Sequence, residues 1–223
     1  AWEGEAFCHR QDGDDLPVQV SLVRVVDKDN QTLHYVAILK DLSEKMAATR
    51  RIEELAYSDP LTGLPNRVVL YERIDFSLGL CARERKSFAI LFIDLDRFKH
   101  VNDSLGHAYG DKVLIEVASR IQACLRQSDT AARTGGDEFI VLLHDTDALG
   151  AEAMVQRVLG CLCAPITLDD LCLTVTSSIG IAVYPMDGLS KDELIKNADT
   201  AMYQVKELGR SSFRFYQRQM NID

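Results

Sequence analysis

The sequence predicts an α+β fold, a mostly antiparallel central sheet flanked by helices. Three observations carry this. Phe88–Ile93 is apolar at every position, as in a central strand buried on both faces. A Gly135-Gly136 turn separates Ala131–Arg133 from Glu138–Leu143, which predicts a hairpin. Helical patterns over Asn66–Arg85, Gly110–Arg126, Leu149–Leu162 and Lys191–Gly209 alternate with strands at Phe88–Asp94, Thr130–Arg133, Glu138–Leu143 and Thr174–Tyr184. Hairpins mixed with helices point to α+β.

The elements fall into four stretches. Residues 1–42 read as strands: Val18, Val20 and Leu22 alternate with Gln19, Ser21 and Val23, and the polar turn Asp27–Asn30 leads into Thr32–Leu39. Roughly forty residues are too few for an independent domain without staples, so this stretch reads as the tail of a larger unit. Residues 43–57 form a short linker helix, with Asp41 or Ser43 to cap its start and Ala48, Ile52 and Leu55 at i, i+4, i+7. That seam either pairs with a copy of itself or rests on its own domain. The helix stops before Asp59-Pro60 because the residue preceding proline disfavours helical geometry. Residues 58–212 are the main domain, and 213–223 a C-terminal linker.

Composition narrows the function. In 223 residues, a hydrophobic content of 47% suits one soluble domain plus an appendage. The formal charge of −9 argues against nucleic acid or a membrane surface as partner. A nucleotide substrate stays open, since a few lysines and a divalent cation suffice to hold a triphosphate. No run approaches the roughly 18–20 apolar residues of a membrane span, so no membrane contact is expected of this segment. Ala1–Arg10, carrying Glu3 and Glu5, has no signal-peptide core. The six cysteines form no C-x-x-C pair, and Cys161 and Cys163 read as small core residues. A reducing cytoplasm is the expected location, with any membrane anchor of the full-length protein lying in segments other than this one.

The chemistry concentrates where the central strand emerges. Asp94-Leu95-Asp96 ends it, and the hairpin tip holds Asp137 and Glu138 on the neighbouring turn. Carboxylates at the end of a buried strand are costly unless paired or bound to a cation. Hard oxygens converging from two strand ends suit Mg²⁺, which takes one or two carboxylates and leaves room for phosphate oxygens. The alternative is a solvated acidic rim. Next, Arg97–Asp111 reads as a turn opening toward a helix, where free N–H groups and Lys99 offer a place for phosphates. Gly106 and Gly110 read equally well as simple turn glycines. No G-x-x-x-x-G-K-[ST] occurs, so this is not a P-loop enzyme.

Gly135-Gly136-Asp137-Glu138-Phe139 resembles the signature of the GGDEF diguanylate cyclase family. The chain also carries, in the family's order, Asp59-Pro60-Leu61-Thr62-Gly63-Leu64-Pro65-Asn66-Arg67 and Phe92–Lys99, followed by Asn102-Asp103, Gly106-His107 and Gly110-Asp111. Ser178–Ala182, Ala198–Tyr203 and Lys206–Arg210 complete a likeness that covers essentially all of Ser58–Arg210. Thr134 departs from it, standing where an aromatic or leucine is expected.

The resemblance implies a nucleotidyl-cyclase, palm-like sheet that condenses two GTP into cyclic di-GMP and pyrophosphate. It implies Mg²⁺ (or Mn²⁺) held by Asp94, the Leu95 carbonyl and Asp137, with Glu138 as a further metal or catalytic acid. Backbone N–H groups of Arg97, Phe98 and Lys99, with Lys99, Lys206 and Arg210, would cradle the triphosphate. Asn102 and Asp111 would read guanine, and His107 would sit close to the nucleotide. With one GTP per domain, the active unit would be a homodimer. Arg126-Gln127-Ser128-Asp129 stands at the family's inhibitory-site spacing, so Arg126 and Asp129 would bind cyclic di-GMP as inhibitor; as a bare pattern it is a surface ion pair.

Residues 1–42 resemble the last strands of a PAS sensor domain, and Phe213–Asn221 is similar to the lead-in to an EAL phosphodiesterase domain. A sensor upstream and an EAL domain downstream are therefore expected. The alternative to a cyclase is a silent module that binds GTP or cyclic di-GMP and regulates such an EAL domain.

Overall fold

The computed structural model describes residues 1–9, 13, 15–169 and 171–221, with the side chains of residues 50, 53–55 and 221 outside that description. The chain divides into two units, Ala1–Glu54 and Leu55–Asp223.

In the first unit, β1 (Trp2–His9), β2 (Asp15–Val26) and β3 (Thr32–Asp41) form an antiparallel sheet in the order β1-β2-β3. The expected β2–β3 pair is present, and β1 adds a third strand. Between them the Asp27 carboxylate accepts the Asp29 and Gln31 N–H groups at 2.9 and 2.8 Å, closing the turn, while Asn30 takes a left-handed φ of 58°. Val18 and Leu42 are the buried hydrophobics among this unit's described residues, and β3 is exposed throughout. Helix α1 (Ser43–Tyr57) follows. Of the two candidate caps, Asp41 accepts the Ser43 N–H through its carboxylate at 2.7 Å, one residue ahead of Leu42, whose carbonyl takes the first helical bond from Met46. On the expected seam Ile52 is 67% exposed, and the Leu55 side chain lies outside the described residues.

The second unit is built on a five-stranded sheet, β10-β9-β4-β6-β5. Its strands are β4 (Phe88–Leu95), β5 (Thr130–Gly135), β6 (Glu138–Leu143), β9 (Ser177–Tyr184) and β10 (Ser212–Phe215). All neighbours are antiparallel except β9 and β10. β4 is buried at every position, as its unbroken apolar run predicts. Because successive strand residues face opposite ways, the run divides between two cores. Ala89, Leu91, Ile93 and Leu95 pack with Val113, Val117 and Ile121 of α4 (His107–Cys124) and Val155 and Val158 of α5 (Ala148–Cys163). Phe88, Ile90 and Phe92 pack with Leu70 and Ile74 of α2 (Arg67–Glu84) and Leu194, Ala198 and Met202 of α6 (Lys191–Glu207). Local chemistry sets the helix starts. Asn66 caps α2 by accepting from the Val68 and Val69 N–H groups, and Asp147 and Ser190 cap α5 and α6.

Four features go beyond the sequence-based expectation. The stretch Arg97–Leu105, read as a turn, contains a short helix α3 (Phe98–Leu105), and α4 begins at His107 rather than Gly110. Eight residues are too few to show a clear period, although burial of Phe98 anchors α3. Thr174–Thr176 do not join β9; the Thr176 carbonyl instead accepts the Asp96 N–H at 2.9 Å. A small hairpin, β7 (Ile166–Leu168) with β8 (Leu171–Leu173), precedes it. The stretch assigned to a C-terminal linker contributes the edge strand β10, whose four residues carry too little pattern to reveal a sheet partner.

Cys161 packs partly buried against the core, Cys163 is half-buried, and the six cysteines are free thiols. Among the described residues no helix is long and apolar enough to cross a membrane.

Gly180 on β9 marks where α6 sits closest to the sheet: a Cβ there would lie 1.9 Å from the Ala198 carbonyl oxygen and 2.3 Å from the Met202 nitrogen. Both are backbone atoms, so α6 itself would have to shift. Gly180→Ala should destabilise the second unit by about 1–3 kcal/mol or more, read as a lower denaturation midpoint. An unchanged midpoint would show that α6 moves freely on the sheet.

Candidate active site

Asp94 and Glu138 face each other directly across the β4–β6 ladder, on the α2/α6 side of the sheet. The turn that joins β5 to β6 holds Asp137 next to Glu138. Gly136 has φ of 54°, a conformation that glycine adopts without a Cβ penalty. The ladder slips at Thr134, which bulges between Arg133 and Gly135. This unexpected letter therefore occupies the one position in β5 with no opposite partner.

Asp94 is 6% exposed, and Lys206 from the last turn of α6 reaches its Oδ1 at 2.8 Å. Burial raises its pKa to about 6, aided by the charges of Asp137 and Glu138 and opposed by Lys206. Glu138 is also pushed up, by burial first and then by Asp199 and Asp137. Burial likewise raises Asp199, against the pull of Lys206. One ammonium thus faces an excess of acid. Among the described residues no group of three or more His, Cys, Asp or Glu gathers in a metal-binding arrangement. Two carboxylates, Asp94 and Asp137, with the Leu95 carbonyl still fit Mg²⁺ or Mn²⁺, which completes its shell with phosphate oxygens and water. The cation seated on Asp94 is at present Lys206, expected from sequence as a phosphate ligand.

The remaining expected residues surround this strand end. Arg97, with φ of 56°, stands at the start of α3, and Phe98 and Lys99 form its first turn, where leading N–H groups lack helical partners. Gly106, φ 85°, is the turn glycine between α3 and α4. Gly110 is not a turn glycine: it lies inside α4, where a Cβ would come within 1.9 Å of Asn102 Oδ1. That close approach brings Asn102 to the first turns of α4, which expose His107 and Asp111. Arg210 follows α6 in a left-handed conformation.

A second locus centres on Arg126 and Asp129, which together line two adjoining concavities. The bare pattern suggests a surface ion pair, but both Asp129 oxygens are turned to the backbone. Oδ2 accepts the Arg126 N–H at 3.0 Å and Oδ1 the His144 N–H at 3.2 Å, leaving the Arg126 side chain exposed.

Sequence reasoning assigned no role to the clamp that holds the β5–β6 turn. Arg133 donates to both Asp59 carboxylate oxygens at 2.9 and 3.0 Å, and through Nε and Nη2 to the Gly136 carbonyl at 3.0 and 2.7 Å. Burial alone would raise the Asp59 pKa, but hydrogen bonds from Thr62 and Arg133 outweigh it and hold the pKa low. The only local signal was Asp59-Pro60-Leu61-Thr62, a turn sequence; its partner is 74 residues away. From sequence, Asp96 reads only as one of the strand-end acids and Asp199 only as part of a motif.

The family described as "Diguanylate cyclase, GGDEF domain" matches residues 56–212. The chain is 42% identical over 176 residues to the bifunctional diguanylate cyclase/cyclic di-GMP phosphodiesterase MucR of Pseudomonas aeruginosa, covering 79% of this chain and 26% of MucR. It spans between about a quarter and two fifths of the length of the curated relatives it matches. Its fold is similar to the solved GGDEF domain of TpbB (YfiN) from P. aeruginosa, with 42% identity, a TM-score of 0.71, and 74% of this chain and 97% of that one covered. It is also similar to the GGDEF domain of DgcB from Caulobacter crescentus in complex with c-di-GMP, with 27% identity, a TM-score of 0.67, and coverage of 72% and 93%.

Because burial favours the neutral form of Asp94, its contribution to stability is whole below its ordinary 3.8 and is lost as pH rises through about 6. Asp94→Asn escapes that loss. In denaturant unfolding without divalent cation, stability should shift in the variant's favour by about 2–3 kcal/mol between about pH 4 and about pH 8. The opposite trend would mean that the Lys206 pairing outweighs desolvation.

Proposed function

This chain belongs to the GGDEF family of diguanylate cyclase domains, and from that premise we propose that its second unit condenses two GTP into cyclic di-GMP and pyrophosphate. The observation that carries the reading is the buried Asp94 facing Glu138, with Asp137 beside it on an intact Gly135-Gly136 turn. Asp94, Asp137 and the Leu95 carbonyl would hold Mg²⁺ or Mn²⁺. When bound, that ion lowers the pKa of the attacking hydroxyl and neutralises charge on the α-phosphate.

The protein's own groups do the rest. Lys206, Arg210 and Lys99, with the first N–H groups of α3, hold the triphosphate. Asn102 and Asp111 select guanine: a carboxylate accepts both N1–H and N2–H₂, whereas adenine offers an acceptor at N1. His107 would sit close to the nucleotide. Glu138, whose surroundings raise its proton affinity, accepts the proton of the 3′-hydroxyl as that oxygen attacks the α-phosphorus and pyrophosphate departs. Repeating the step from the second nucleotide closes the ring. One nucleotide per domain makes the active unit a facing homodimer.

We read residues 1–42 as the C-terminal part of a PAS sensor, residues 43–57 as the helix that links it to the cyclase, and an EAL domain as the downstream partner in the full-length protein. Arg126 and Asp129 would bind product. The exposed Arg126 guanidinium matches O6 and N7 of one guanine. The Asp129 oxygens, each accepting one backbone N–H, keep a lone pair for N1–H and N2–H₂ of another.

Incubation with Mg²⁺ and GTP should yield cyclic di-GMP, and Asp137→Ala should abolish it while leaving the unfolding midpoint unchanged, because a turn-tip acid supplies no core packing. Product from Asp137→Ala near the parent rate would remove that residue from the mechanism. A parent that binds GTP without turnover would instead identify the silent regulatory module.

Progress curves should slow as cyclic di-GMP accumulates, and Arg126→Ala should stay linear while binding product at least about tenfold more weakly by calorimetry. Equal product affinity in the two proteins would leave Arg126 with no role in feedback.

A further inference from the structure

β4 leads into two carboxylates, and both grip one neighbour, the C-terminal end of α6. Asp94 Oδ1 meets Lys206 Nζ at 2.8 Å, and Asp96 Oδ2 accepts the Ser211 N–H at 3.0 Å. Arg210 lies between the two grips.

Asp96 is 8% exposed and fully engaged. Its Oδ1 accepts from the Ser178 hydroxyl at 2.7 Å, and its Oδ2 from the Thr176 hydroxyl at 2.7 Å as well as from Ser211. Its own N–H donates to the Thr176 carbonyl at 2.9 Å. Charge-assisted bonds of this kind are stronger than neutral ones, and a buried carboxylate held by three donors has little freedom to move.

The segment it holds is conformationally unfavourable. Gly209, Arg210 and Ser211 have φ of 125°, 66° and 51°. Glycine takes such values readily, but two successive residues bearing Cβ do not unless their surroundings impose it. α6 closes with the Arg210 N–H on the Val205 carbonyl at 2.9 Å, and Ser212 then enters β10. Between those points Asp96 supplies the tertiary restraint on the Arg210–Ser211 bend.

We propose that Asp96 is a positioning residue, which holds the left-handed Arg210–Ser211 turn so that Arg210 and Lys206 act as one rigid phosphate clamp beside Asp94. This rests on the reading of Lys206 and Arg210 as triphosphate ligands. Asp96 itself touches no nucleotide. Its value is that an ionised carboxylate only accepts. An amide in its place keeps the volume but loses the charge and keeps one acceptor oxygen for three donors, so the pin weakens without a cavity.

The test is binding of a GTP analogue with a methylene bridge between the α- and β-phosphorus, measured by calorimetry with Mg²⁺, beside steady-state kinetics with GTP. Asp96→Asn should bind the analogue about tenfold more weakly and raise KM for GTP by a similar factor with kcat within about threefold, the split expected when ground-state and transition-state binding fall together. A merely structural role would lower the active fraction, and so kcat, at unchanged KM. Thr176→Val removes one donor and keeps the carboxylate, which covers the case in which Asp96→Asn does not fold; it should raise KM by about threefold. Parent-like analogue affinity in folded Asp96→Asn, parent-like KM in Thr176→Val, or a loss confined to kcat overturns the pin. A parent that neither binds the analogue nor makes cyclic di-GMP overturns the cyclase reading instead, and the pin with it.

Discussion

A strand buried on both faces must end somewhere, and in this protein the end of β4 carries charge. Phe88–Ile93 satisfies two cores at once, so β4 cannot slide or twist without unpacking α2 and α6 on one side or α4 and α5 on the other. The carboxylates that follow inherit that rigidity. They also inherit its penalty, since Asp94 is desolvated before any ligand arrives. Lys206 offsets part of the penalty from α6, and Asp96 is satisfied by Thr176, Ser178 and Ser211. The site is thus a place where the fold tolerates charge because neighbouring elements supply counter-groups.

Those counter-groups order the surrounding pieces. α6 lies so close to β9 that only a glycine fits at position 180, and its last turn is tied to β4 through Lys206 and Ser211. On the other flank, Arg133 joins Asp59, just past the end of α1, to the Gly136 carbonyl at the hairpin tip. This guanidinium is 11% exposed and serves Asp59 from Nη1 and the Gly136 carbonyl from Nε and Nη2, two acceptors that one compact lysine ammonium does not span in this way. Asp94 and Asp137 therefore belong to two separately braced elements, and the spacing between them is set by those braces.

Much of this was legible in the residues. Alternation predicted the β2–β3 pair, the Gly-Gly turn the β5–β6 hairpin and the unbroken apolar run the central strand, and the acids at the strand ends marked the candidate site. The short elements were not legible. α3 and β10 have eight and four residues, too few to display a period, and β10 is defined by its neighbour β9 more than by its own sequence. Gly110 illustrates a different limit. A glycine in an expected turn suggests backbone freedom, yet here it sits in a helix and leaves space for Asn102.

The sequence by itself determined the strand and helix periods, the caps at Asn66, Asp147 and Ser190, the turn at Gly135-Gly136, and which acids stand at strand ends, because each depends on residues close together in the chain. Tertiary structure decided the partners: Lys206 on Asp94, Arg133 on Asp59, Asp96 on Ser211, and the His144 N–H on Asp129. A carboxylate specifies that it needs donors, but not from where, and donors 74, 112 and 115 residues away leave no local spacing to read. Only the closing of the sheet and the docking of α6 bring them within hydrogen-bonding distance.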